Sequence, residues 1–186
     1  ARVHLFRREY QQALAAAQKS LSYNNQLIDM VAYEAHPTPI TVDKNPEVLN
    51  LAYMNGHTEM NSWYIYPVSP EFCNLFDAEN DMRFKLFFNK NHRYNDKGSG
   101  TANWDMPATK FFYPTVGMKT GEMYLTLAEC KARLGNLSGA MQTVNILRSK
   151  RIKGSGATLA TPATTEEAVK LIIDERRREL AMGFNR

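Results

Sequence analysis

Residues 120–151 read TGEMYLTLAECKARLGNLSGAMQTVNILRSKR, and this stretch decides the fold. Leu125, Ala128, Ala132, Ala140, Val144 and Leu147 keep the spacing of one helix face on either side of a break at Leu134-Gly135-Asn136-Leu137. Gly135 is free to take the positive φ that ends a helix. The stretch is read as helix, tight turn, helix. Residues 1–21, ARVHLFRREYQQALAAAQKSL, repeat the arrangement, with a turn at Arg8-Glu9-Tyr10. Ala1, Tyr10 and Ala13 fall on Ala128, Leu137 and Ala140 at one constant offset of 127 residues (137 − 10). The shared pattern is small–x8–large–x2–small, the core of a tetratricopeptide unit, in which small residues let two helices cross closely. An ordinary antiparallel helix pair shows it too. Tandem units recur at about 34 residues; here about 100 residues intervene, so the repeats suggest a helical scaffold that carries a large excursion.

The intervening chain is punctuated differently. Pro37, Pro39 and Pro46 make 36–46 a loop or extended stretch, and Asn45-Pro46-Glu47-Val48-Leu49 can start an element. Trp63-Tyr64-Ile65-Tyr66 suits an extended segment. Ser69-Pro70-Glu71 is a helix start, with Ser as cap, Pro at the first position and an acid in the first turn. Arg83 to Phe88 reads as a short strand. Residues 89–110 form a long polar loop, a kind that is usually functional or disordered. Thr164-Thr165-Glu166-Glu167 supplies capping chemistry for a last helix through Ala181. The expected class is mainly α: a single region over 1–186, with hairpins within 1–30 and 119–151, a loop-rich excursion over 31–118 and a closing helix over 164–186.

Composition narrows the function. The chain has 186 residues, 44% hydrophobic and 23% charged, enough for a sizeable core. Its net charge of +4 is spread out, and no basic stripe suggests nucleic acid. Two cysteines, Cys73 and Cys130, make neither a disulfide framework nor a usual zinc site. No apolar run is long enough to cross a membrane. His4, His36, His57 and His92 lack metal-ligand spacing. The Gly98-Ser99-Gly100 and Gly154-Ser155-Gly156 runs lack the context of phosphate loops. No catalytic constellation has a motif behind it, so no enzyme activity and no cofactor are expected. Glu175 and Glu179 are expected to pair with Arg176, Arg177 and Arg178 and fix the last helix to the scaffold. The chain opens mid-helix and stops at Asn185-Arg186, so both ends read as cut, and an apolar face is expected where a missing N-terminal half would pack.

Five blocks, in order, carry a resemblance. They are Asn24-Asn25-Gln26-Leu27-Ile28-Asp29 after the first hairpin, Asn45-Pro46-Glu47-Val48-Leu49, and Ser69-Pro70-Glu71-Phe72 with Leu75-Phe76 and Asp81-Met82-Arg83. Lys119-Thr120-Gly121-Glu122-Met123-Tyr124-Leu125 with Ala128-Glu129, and Glu175-Arg176-Arg177-Arg178-Glu179-Leu180-Ala181, complete the set. Together they resemble the SusD/RagB family of nutrient-binding lipoproteins. Lys119 stands where the family usually has Arg, and residues 182–186 depart from its wording. The resemblance implies a SusD-like α/α superhelix on the outer surface of Bacteroidetes cells, lipid-anchored through a part outside this chain. It implies oligosaccharide binding for a SusC-like TonB-dependent transporter in the outer membrane, with peptide binding as the variant within the family. A tetratricopeptide adaptor for protein partners is the competing class.

Sugar recognition needs aromatic platforms against pyranose faces, flanked by amides and acids for the hydroxyls. Trp104, set among Gly100, Thr101, Asn103 and Asp105, is the leading candidate. Trp63, Tyr66, Tyr94 and Asn103 complete the expected set. The alternation along Trp63-Tyr64-Ile65-Tyr66 fits packing equally well.

Overall fold

The two hairpins form where their spacing places them. The computed structural model describes residues 1–33, 45–50, 69–87 and 117–180. Helix α1 (Arg2–Phe6) and helix α2 (Tyr10–Tyr23) are joined at Arg8, whose φ of 61° turns the chain. Short helix α3 (Met30–Tyr33) follows, then strand β1 (Val48–Asn50), helix α4 (Pro70–Cys73), helix α5 (Met82–Phe87) and strand β2 (Met118–Lys119). The second hairpin is α6 (Thr120–Arg133) and α7 (Leu137–Arg148), turned at Gly135 with φ 86°. A 3-10 turn at Gly154–Ala157 leads to the closing helix α8 (Thr165–Leu180). The chain is mainly helical with tetratricopeptide-like hairpins. The offset of the sequence repeat is kept to the residue, because α2 begins at Tyr10 and α7 at Leu137.

Small side chains decide the crossings. Ala13, Ala17, Ala128, Ala132 and Ala140 are fully buried. Helix α6 lies at the centre, packed on α2, α7 and α8. Leu125 and Ala128 of α6, Val144 and Leu147 of α7, and Ala168 and Ile172 of α8 share one apolar cluster. Full burial of each large aliphatic side chain there contributes about 1.5–3 kcal/mol. On α1, by contrast, Val3 and Phe6 are 62% and 91% exposed, so an apolar face stands open on the first hairpin.

Local chemistry sets the ends. The Ser69 hydroxyl accepts from Phe72 N (3.2 Å) and caps α4 ahead of Pro70. Asn136 Oδ1 accepts from Gly139 N (2.9 Å) and caps α7. Thr164 Oγ1 accepts from Glu167 N while the Glu167 carboxylate accepts from Thr164 N, a reciprocal cap for α8. The strand expected at Arg83 to Phe88 is instead helix α5. The Asp81 carboxylate accepts from Arg83 N (3.0 Å), its carbonyl accepts from Phe84 N (3.1 Å), and Phe84 turns onto Phe76 with ring centroids 5.5 Å apart. A short apolar run is ambiguous by periodicity, and this capping contact selects the helix. Residues 36–44 of the first loop, the run Trp63-Tyr64-Ile65-Tyr66, the loop 89–110 and residues 181–186 lie outside the described residues. No described helix is long and apolar enough to cross a membrane.

The crossing at Ala140 gives a test. Ala140→Leu forces extra volume into a fully buried site and should cost about 1–3 kcal/mol in urea unfolding. Ala15→Leu, on the exposed face of α2, should stay within about 0.5 kcal/mol of the parent. Equal effects from the two would contradict the crossing.

Candidate functional site

The expected ligand residues fall in two segments, Trp63 and Tyr66 within 51–68 and Tyr94, Asn103 and Trp104 within 88–116. All five lie outside the described residues. The structure does describe the four places where these segments leave and rejoin the scaffold. Residue 51 follows β1, residue 68 precedes the Ser69 cap of α4, residue 88 follows α5, and residue 116 precedes Gly117 and β2. Strands β1 and β2 pair antiparallel, Val48 with Lys119 and Asn50 with Met118. One end of each segment therefore springs from the same two-stranded sheet. Below it, Thr120 N donates to Glu47 O (2.9 Å), and the Thr120 hydroxyl donates to Gln26 O (2.7 Å).

A buried ion cluster underlies these junctions. Arg83 of α5 is fully buried and forks onto Asp81, Nε to Oδ1 at 2.9 Å and Nη2 to Oδ2 at 2.7 Å. Its Nη1 lies 2.7 Å from Glu175 Oε1 and 3.0 Å from Glu179 Oε2, both on α8. Arg151, also fully buried, donates from Nη2 to Glu47 Oε1 (2.6 Å) and Glu179 Oε1 (2.8 Å), and from Nη1 to Ile28 O (2.6 Å). Glu47 Oε1 also accepts from Ile28 N (2.7 Å). On the far side of Glu175 sit Arg148 and Arg178, and Arg178 Nη1 reaches Leu75 O (2.8 Å). The backbone between α7 and α8 threads through the same place. Lys150 O accepts from Met30 N (2.9 Å) and Arg151 O from Met82 N (2.8 Å).

The electrostatics follow from the packing. Burial alone would raise the Glu175 carboxyl, but Arg83, Arg178 and Arg148 outweigh it and hold the group well below the usual carboxylate range. Glu179 is lowered in the same way, burial opposing and Arg151 and Arg83 prevailing. Burial pulls the Lys119 ammonium below its ordinary range against the attraction of Glu47 and Glu179. Burial pushes the thiols of Cys73 and Cys130 up to about 11, which keeps both protonated and unreactive.

A cleft of about 280 Å³ opens between Leu75, Ile152, Leu159 and Leu171, with Arg148 and Arg178 on its wall. Neither guanidinium is open to an anion there. Arg148 is spent on Glu175 and on the carbonyls of Gly156 and Ala157, and Arg178 on Glu175 and Leu75 O. Among the described residues no group of three or more His, Cys, Asp or Glu is placed to hold a metal ion.

Sequence reasoning paired the closing-helix charges largely with one another. Arg178 does pair with Glu175, and Arg176 and Arg177 reach Glu129 (3.6 Å) and Glu71 (2.9 Å). It missed Arg83, Arg148, Arg151 and Glu47. The signal was present: Glu175 and Glu179 are four apart, so they share a helix face and repel unless cations from elsewhere cover them.

Comparison with known proteins places the chain among relatives. The model of the SusD family matches residues 76–186. A SusD-like carbohydrate binding protein from Bacteroides vulgatus superposes with a TM-score of 0.67 at 22% identity, over 96% of this chain and 40% of that one. A SusD superfamily protein from Bacteroides thetaiotaomicron gives 0.72 at 20% identity, over 96% and 45%. A SusD-like protein from Bacteroides fragilis gives 0.68 at 18%, over 97% and 50%. This chain thus spans at most half the length of these three structures. No curated protein sequence matches it.

The cluster makes a pH prediction. The folded state holds Glu175 and Glu179 below their ordinary value, so between that value and their lowered ones the unfolded chain binds more protons. Their contribution is complete above about pH 5 and drains away as pH falls, which urea midpoints across pH 2–7 will show. Glu175→Gln leaves three guanidiniums underpaired. It should cost about 3–5 kcal/mol at neutral pH and flatten the acid slope. A parent midpoint that is level from pH 6 to pH 3 would contradict the assignment.

Proposed function

Because the chain belongs to the SusD family, we propose that it is part of a cell-surface glycan-binding protein that hands oligosaccharide to a SusC-like TonB-dependent transporter in the outer membrane. The observation that carries this reading is the family match over residues 76–186, supported by the likeness to a solved SusD-like carbohydrate binding protein. The protein binds and releases its ligand without bond breaking and uses no cofactor. A lipid anchor outside this chain holds it at the surface.

The contacts come from the excursion. Trp104 stacks on the apolar face of a pyranose ring, Asn103 hydrogen-bonds its hydroxyls, and Tyr94, Trp63 and Tyr66 extend the platform. Such a surface binds tightly only if its segments are held before the ligand arrives, because ordering them on binding would consume affinity. The described roots of the segments are themselves held: β1 and β2 pair in one sheet, Glu47 is bound to Arg151, Arg83 to Glu179 and Leu75 to Arg178.

The test is Trp104→Ala, with calorimetry against panels of oligosaccharides and of peptides. Loss of an aromatic anchor should weaken oligosaccharide binding by about tenfold or more with an unchanged melting temperature. Undiminished binding removes Trp104 from the site. Binding by peptides alone replaces the glycan reading with the peptide-binding one.

A further inference from the structure

One carboxylate, that of Glu179, bonds to arginines that reach two of the four junctions and lies beside a third. Glu179 Oε2 accepts from Arg83 Nη1, on the helix that runs into 88–116. Glu179 Oε1 accepts from Arg151 Nη2, and the same nitrogen donates to Glu47, one residue before β1 and the start of 51–68. The third relation is one of space. A Cβ added at Gly121 would lie 2.7 Å from Glu179 Oε1, so the carboxylate sits against the first turn of α6, next to the β2 strand that closes 88–116. The fourth junction is held one residue away, where Arg178 donates to Leu75 O.

We propose that Glu179 is a positioning residue: it fixes helix α5 and the Glu47 turn before β1, the roots of segments 88–116 and 51–68, relative to each other without touching ligand. In its effect on binding, the inference rests on the glycan reading above; in its effect on placement, it does not. Two features separate this role from general stabilisation. Glu175 neutralises Arg148 and Arg178 of the scaffold as well as Arg83, whereas the hydrogen bonds of Glu179 among the described residues go to Arg83 and Arg151, each beside a junction. Gly121 has no side chain where a methyl group would push this carboxylate away. Arg83 and Arg151 pull it from two sides, so neutralising it leaves both guanidiniums underpaired and frees α5 and the Glu47 turn to shift independently.

The chain provides its own reporters. It has two tryptophans, Trp63 and Trp104, one in each segment and none in the helical scaffold. In Glu179→Gln, well below its melting temperature, acrylamide quenching of tryptophan emission should rise about twofold while the far-ultraviolet helical signal stays at the parent level. Ala140→Leu, which strains a helix crossing far from the junctions, should leave the quenching unchanged. Glycan affinity of Glu179→Gln should fall about tenfold, the scale expected when preorganisation is lost. If Glu179→Gln does not fold, Gly121→Ala gives the same reading, because it displaces the carboxylate and keeps its charge. Parent-like quenching in the variant that folds, or an equal rise in Ala140→Leu, overturns the proposal. A quenching change in a protein that binds no glycan, parent included, leaves the positioning role standing and defeats the glycan reading instead.

Discussion

Arg83 and Arg151 are fully buried cations that cannot be neutralised, and the rest of the structure answers to that constraint. A guanidinium out of water costs several kcal/mol unless nearly every donor finds an acceptor. The acceptors come from Asp81, two residues from Arg83, and from Glu47, Glu179 and the carbonyl of Ile28, which are remote in sequence, while Glu175 adds an ion pair. Each arginine thus forces several chain segments to one point. Where hydrophobic contact is indifferent to direction, these charged hydrogen bonds fix angle as well as distance, and they bind the excursion to the helices in a defined register.

Two kinds of cohesion divide the molecule. Around α6 the two hairpins and the first half of α8 hold by small-residue crossings and an apolar cluster. Around the second half of α8 ion pairs predominate, with Leu180 buried beside them. They begin within the helix, between Ile172 and Glu175. The apolar part makes a scaffold like other helical hairpin stacks. The ionic part lets that scaffold carry strands and short helices whose own cores are too small to hold them.

The hairpins were legible because their determinants are local. A turn glycine, a capping asparagine and alanines at the crossing spacing act within a few residues of where they are read. The Thr164–Glu167 cap and the Ser69-Pro70 start were legible for the same reason. Helix α5 was misread because six apolar-rich residues have too short a period to choose between helix and strand. Arg83 and Arg151 gave no local sign of burial, since an arginine is ordinarily exposed and only its distant partners make it otherwise. The family blocks did mark Asp81-Met82-Arg83 and the Glu175–Glu179 turn, but as a pattern, without saying that they meet. Of the candidate ligand residues, sequence placed all five in the excursion, and the structure describes the ends of their segments.

Helices α2 and α6 pack side by side although 97 residues separate Tyr23 from Thr120 (120 − 23). In a directly stacked repeat array the neighbouring unit is only a turn away. Here a large loop must close before the first hairpin gains its neighbour, which slows folding relative to a local stack. Loop closure, however, grows only with the logarithm of length, so adding half again to the excursion costs about 0.4 kcal/mol. The scaffold is therefore nearly indifferent to how much chain it carries between its hairpins. Insertions, deletions and wholesale exchange of that stretch can accumulate over evolution at little energetic cost, provided the junction residues stay.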